Sequence, residues 1–168
     1  MRPDLSGLVV IFDLDGTLID TAGDLADAMN HALAAAGHAP VEATRVRHLV
    51  GHGARAMLAQ GFAERGEAQL EAAALDRHVA IFLEYYLANI ARRSRPFPGA
   101  IEAIDALRRQ GAKAAICTNK REGPARLLID TLGLAARFEA IVGMDTATAA
   151  KPDPAPVRLC LERTGAAR

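Results

Sequence analysis

Residues 8–20 read LVVIFDLDGTLID, an apolar run that meets an aspartate, a leucine, a second aspartate and then Gly-Thr. Leu8 to Phe12 has the length and β-branched content of a fully buried strand. Asp13 and Asp15 follow it two residues apart, a spacing that points both carboxylates to one side of an extended chain. In open α/β sheets the carboxyl ends of the strands form the ligand crevice. Two anions held so close require a cation or a shared proton. A hard divalent ion such as Mg²⁺ suits oxygen donors of this kind. Gly16 lets the backbone turn sharply and lets a ligand approach it closely. In such a pair one carboxylate can attack phosphorus while the other moves the leaving group's proton.

The rest of the chain reads as parts around that strand. With 168 residues, 51% of them apolar, it can bury a sizeable core. The 20 basic and 20 acidic residues cancel without forming a basic stripe, which argues against nucleic acid as a partner. No apolar run is long enough to span a bilayer, and the polar start MRPDLSG lacks the order of a signal peptide. Cys117 ends an apolar run and Cys160 lies in a helical one, as buried thiols in a reducing cytoplasm would. A cytoplasmic protein is therefore expected, with no membrane partner.

Periodicity predicts only helices over residues 22–92. The first begins near Ala22 behind Asp20 and Thr21, which can cap it, and ends at Gly37. Others are expected over 42–50 and 54–62. A long one is expected over 67–92, with Leu75, Val79, Phe82, Tyr86 and Ile90 as its core stripe. Beyond residue 94 the pattern alternates. A helix from Pro98 to Gly111 leads to a strand at Ala112–Cys117. A helix with Pro124 in its first turn leads to a strand at Ala140–Gly143, and a last helix covers Asp153–Thr164. The reading is α/β, a Rossmann-like parallel sheet core from residues 1–20 and 94–168, with an all-helical cap inserted at 21–93.

Two later segments complement the aspartates. Cys117-Thr118-Asn119 closes the second strand and aims a hydroxyl and backbone N–H groups at the crevice. Lys151-Pro152-Asp153-Pro154 follows the third strand and adds a cation. A hydroxyl donor and an ammonium there suit the oxygens of a phosphoryl group. Taken singly, Thr118 is a strand-end turn residue and Lys151 a surface lysine. Lys120 reads as solvated, and His31, His38, His48 and His78 read as structural.

DLDGT after the first strand, TN after the second and KPDP after the third together resemble the haloacid dehalogenase superfamily of phosphotransferases. The helical insertion, VGHGARAML within it and FPGAIEAIDALRRQGAKAAICTNK resemble its phosphoglycolate phosphatase branch. The resemblance implies the family's Rossmann-like core and a Mg²⁺-dependent phosphatase of a small phosphorylated metabolite, 2-phosphoglycolate first, working as a monomer or homodimer. It implies Asp13 as the nucleophile that becomes an aspartyl phosphate, and Asp15 as general acid and then base. Thr118 and Lys151 would hold the phosphoryl group, with Asn119 helping through its backbone and Gly16 allowing close approach. Mg²⁺ would sit on the Asp13 carboxylate and the Asp15 backbone carbonyl. His52, in the Gly51-His52-Gly53 turn, and Arg55 would help choose the substrate, although Arg55 reads equally as a helix-surface charge.

The chain departs from the family after Thr164. A fourth motif, Gly-Asp followed by another acid, is absent where it would be expected, and Asp145 is not a convincing replacement. The expectation is a C-terminally truncated member whose first strand presents an unpaired edge. A sugar-phosphate phosphatase, a phosphoglucomutase and a catalytically impaired fragment are the alternatives.

Overall fold

The computed structural model describes residues 3–68 and 70–166. In chain order the elements are β1 (Val9–Phe12), β2 (Ile19–Asp20), α1 (Ala22–Ala35), α2 (Ala43–Val46), α3 (Ala54–Ala63), α4 (Ala72–Ala88), β3 (Arg95–Pro96), α5 (Ala100–Arg109), β4 (Lys113–Cys117), α6 (Glu122–Thr131), β5 (Ala140–Val142) and α7 (Ala155–Arg163). Short 3-10 turns occupy Arg47–Leu49 and Ala135–Arg137. The chain divides into two compact units, one of residues 1–20 and 95–168, the other of residues 21–94.

The first unit is α/β. Its sheet has the order β1-β4-β5, and both pairings are parallel. Phe12 pairs with Ile116 and Cys117 with Val142, so the three strands end level with one another. Ala115, Ile116, Cys117, Ile141 and Val142 are buried, as expected of strands covered on both faces. β1 differs from the sequence expectation, because its four residues are only half-buried and Leu8 is 54% exposed. As an outer strand in this sheet, β1 has a neighbouring strand on one side and is screened less than central β4. Glu139 braces the opposite end of β4, accepting the Ala114 N–H at 2.8 Å while Arg108 donates to its other oxygen at 2.5 Å.

β2 and β3 pair antiparallel, Ile19 with Pro96 and Asp20 with Arg95. The sequence reading missed both, since two-residue strands carry no periodicity.

The second unit is helical. Leu25, Met29 and Leu33 of α1 pack with Met57, Leu58 and Phe62 of α3 and with Leu75, Phe82 and Tyr86 of α4. The i, i+4 spacing of Leu25, Met29 and Leu33 makes one apolar stripe, which is why α1 forms against its neighbours. Gly37 follows α1, and the His38 N–H returns to the Leu33 carbonyl at 3.0 Å. Thr21 occupies the N-cap position but makes no side-chain capping bond. α4 is shorter than expected, ending at Ala88, and the expected helix over 42–50 is one turn followed by a 3-10 turn. Arg65 donates from Nε to the Ala39 carbonyl at 3.1 Å and also reaches the Pro40 carbonyl, fastening the loop between α1 and α2.

Asp24, 3% exposed, lies in the first turn of α1. Its Oδ1 accepts the Arg93 N–H at 2.8 Å, and its Oδ2 accepts the Ser94 N–H at 2.8 Å and the Ser94 hydroxyl at 2.5 Å. A buried carboxylate needs such donors, and here they tie the start of the helical unit to its end.

Candidate active site

The level strand ends of the first unit gather the residues that the sequence singles out there. Asp13 follows β1, Thr118 and Asn119 follow β4, and Lys151 comes from the segment between β5 and α7. Lys151 Nζ donates to Asp13 Oδ1 at 2.7 Å and to the Cys117 carbonyl at 2.8 Å. Its position is set by Asn119. Asn119 Oδ1 accepts the Lys151 N–H at 3.0 Å, and Asn119 Nδ2 donates to the Lys151 carbonyl at 3.2 Å. A side-chain amide offers one acceptor and two donors, so it can grip a peptide unit from both sides. Asn119 thus works on the lysine through its side chain.

Asp13 is the more open of the two aspartates, its side chain 36% exposed against 8% for Asp15. The loop behind them is tight. The Gly16 N–H donates to the Ile19 carbonyl at 2.9 Å, and the Ile19 N–H donates to the Leu14 carbonyl at 3.0 Å. This parallel bridge uses the peptide groups on either side of Asp15 and leaves the carbonyl of Asp15 out of it. Gly16 has φ +77°, a left-handed conformation that favours glycine.

Thr118 is 2% exposed, its N–H on the Val142 carbonyl at 3.0 Å. Its Oγ1 accepts the Lys120 N–H at 3.1 Å. A hydroxyl that accepts in this way still has its own proton to donate.

Lys120 overturns its sequence reading. Its side chain is 9% exposed, not solvated, and its Nζ lies 3.2 Å from each carboxylate oxygen of Asp15. The signal was weak because the residue follows Thr118-Asn119 in a turn, and its partner is 105 residues away.

Asp145 is engaged elsewhere. Its Oδ1 accepts the Glu122 N–H at the start of α6 at 2.8 Å, and its Oδ2 accepts from Arg121 at 3.2 Å. The Glu122 N–H bond, ahead of the opposing burial and supported by Arg121, holds its carboxyl below the usual value. An acid so placed is a helix cap.

Arg55 and His52 belong to the helical unit. Arg55 pairs with Asp76 of α4, and His52 Nδ1 lies 3.2 Å from the Leu49 carbonyl.

Among the described residues, no group of three or more histidine, cysteine or acidic side chains is arranged to hold a metal ion. The oxygen donors at the strand ends are nevertheless hard ones. Asp13 Oδ2 lies outside the Lys151 contact, and the Asp15 carbonyl lies outside the bridge. Mg²⁺ often takes one or two protein oxygens and completes its shell with water and phosphate, so this donor set fits it.

The carboxyl edge of this parallel α/β sheet thus brings together two aspartates and two lysines, paired Asp13 with Lys151 and Asp15 with Lys120. The family of haloacid dehalogenase-like hydrolases matches residues 10–168, and the chain belongs to it. A phosphoglycolate phosphatase of Mesorhizobium japonicum is 47% identical over 150 residues, covering 89% of this chain and 66% of that protein. Another, of Caulobacter vibrioides, is 45% identical over 162 residues, covering 96% and 68%. The chain thus spans about two thirds of the length of these curated relatives. Among solved structures, a Haemophilus somnus protein described as a predicted phosphoglycolate phosphatase superposes with a TM-score of 0.79 at 25% identity, over 95% of this chain and 72% of that one. A haloacid dehalogenase-like hydrolase of Streptococcus pneumoniae shares the fold, with a TM-score of 0.76 at 22% identity over 93% and 70%.

Proposed function

We propose that this chain is a Mg²⁺-dependent phosphatase that hydrolyses a small phosphorylated metabolite, 2-phosphoglycolate first, through an aspartyl phosphate. The observation that carries the reading is the Lys151 ammonium held 2.7 Å from Asp13 at the strand ends, where Thr118 directly follows β4. The names of the curated relatives support the choice of ester.

In this reading an Asp13 oxygen attacks phosphorus as the bond to the ester oxygen breaks, and Asp15 gives its proton to the departing alkoxide. Asp15 then takes a proton from water, which attacks the aspartyl phosphate, releasing inorganic phosphate and restoring Asp13. Lys151, fixed by Asn119, shares its charge between Asp13 and the phosphoryl oxygens, while the Thr118 hydroxyl donates to another of them. The Asp13 carboxylate and the Asp15 carbonyl would hold Mg²⁺. The ion supplies charge neutralisation to the phosphoryl oxygens when bound.

The test is phosphate release from 2-phosphoglycolate with Mg²⁺ and with EDTA, beside Asp13→Asn. The reading expects metal-dependent release that the substitution abolishes. Undiminished release by Asp13→Asn, or none from folded wild-type protein across a panel of phosphate esters, overturns it.

A further inference from the structure

We propose that Lys120 is the positioning residue for Asp15, holding the proton-transferring carboxylate in place without touching the substrate. The inference rests on the phosphatase reading above and deepens it. Each aspartate at the strand ends has its own lysine, and the two pairs differ in kind. Lys151 is 28% exposed and meets the open Asp13 through one oxygen. Lys120 is 9% exposed and meets the sheltered Asp15 through both oxygens, at 3.2 Å each. The first can turn toward an incoming phosphoryl group. The second is shut in with its carboxylate.

The Lys120 backbone, like that of Lys151, is pinned on both sides, so what separates the two lysines is the burial of the Lys120 tip against both oxygens of Asp15. Its N–H donates to Thr118 Oγ1 at 3.1 Å, and its carbonyl accepts the Met144 N–H at 3.0 Å from the loop after β5. A lysine stem is flexible, and a fixed origin with a buried tip removes most of that freedom. Three segments thus converge on one carboxylate: the loop after β1 that carries Asp15, the turn after β4 that carries Lys120, and the loop after β5 that holds the turn. Misplacing a catalytic group by about an ångström can cost roughly a hundredfold in rate.

A positioning role predicts a pattern that a purely structural role would not produce. Cleavage of an alkyl phosphate needs a proton delivered to the departing oxygen, whereas the nitrophenolate of p-nitrophenyl phosphate departs without one. The experiment compares kcat/KM for 2-phosphoglycolate and for p-nitrophenyl phosphate in wild type, Lys120→Met and Lys120→Arg, with Mg²⁺. The ratio of the two constants within one preparation does not depend on how much of the protein is folded. Lys120→Met should lower kcat/KM for the alkyl ester roughly tenfold or more, while the aryl ester loses less than about threefold. Lys120→Arg should recover part of the difference, and competitive inhibition by inorganic phosphate should stay at the wild-type level. Equal losses on the two esters, or none, overturn the inference while the phosphatase reading stands. Phosphate inhibition that weakens in Lys120→Met also overturns it, because Lys120 then binds the substrate. A folded wild type that hydrolyses neither ester overturns the phosphatase reading itself, and this inference falls with it.

Discussion

Asn119 grips the peptide of Lys151 from both sides, so its loss should act through the lysine. Asn119→Ala removes two neutral hydrogen bonds, which stabilise by about 1–2 kcal/mol together. Thermal melting should fall accordingly, and phosphate release should fall further than that melting shift explains. A melting shift with full activity would mean that Lys151 needs no such anchor. Cys117 and Cys160 behave differently, as buried thiols. Burial, reinforced by the neighbouring Cys117 thiol, pushes Cys160 up to about 12 from 9.0, and burial raises Cys117 as well. A raised thiol pKa stabilises the fold below the unfolded value, and that contribution is lost as pH climbs from 9.0 toward about 12. Both thiols should resist alkylation at neutral pH until denaturant is added, which mass spectrometry reads directly. Rapid labelling of native protein would contradict the buried placement.

α6 shows what a helix start can owe to a neighbouring loop. A Cβ on Gly143 would lie 2.2 Å from the Glu122 backbone nitrogen, so only glycine lets the loop after β5 come this close to α6. Gly143→Ala should cost about 1–3 kcal/mol by overpacking, measured as a drop in the denaturation midpoint; an unchanged midpoint would contradict the close approach. Glu122 binds the same corner together, accepting from the Thr146 hydroxyl, from Arg126 at 2.8 Å and from Arg163 at 3.0 Å. Burial raises the Glu122 carboxyl, but those three donors outweigh it and hold it below its usual value. Its contribution is present above pH 4.5 and is lost as pH falls through the depressed value. Glu122→Gln should therefore flatten the acid limb of the melting profile. Helical periodicity made α1 legible in the sequence, apolar runs made β4 and the short β5 legible, and the order of strands and helices made the parallel sheet legible. β2 and β3 escaped because a two-residue pairing is decided by its partner strand. The Lys120–Asp15 pair escaped for a related reason: the turn after Thr118 looks polar, and only the folded β4–β1 neighbourhood encloses it.

At the scale of the molecule, residues 21–94 form a unit closed at its own ends by Asp24. Asp24→Ala leaves the buried donors of Arg93 and Ser94 unsatisfied and should cost about 3 kcal/mol or more, seen as earlier proteolysis around residues 90–95. Resistance equal to wild type would show that the apolar core alone closes the unit. The other unit carries the strand-end residues, and in the sequence it was the order DLDGT, TN, KPDP that pointed to a single edge. The roles proposed at that edge reduce to one claim, that Asp13 becomes covalently phosphorylated. The most direct measurement is acid quenching of the protein mixed with 2-phosphoglycolate and Mg²⁺, followed by peptide mass mapping. The account predicts one phosphoryl group on the peptide that carries Asp13, released by hydroxylamine as an acyl phosphate is. A phosphoryl group on another residue, or steady phosphate release that persists in Asp13→Asn, would contradict it.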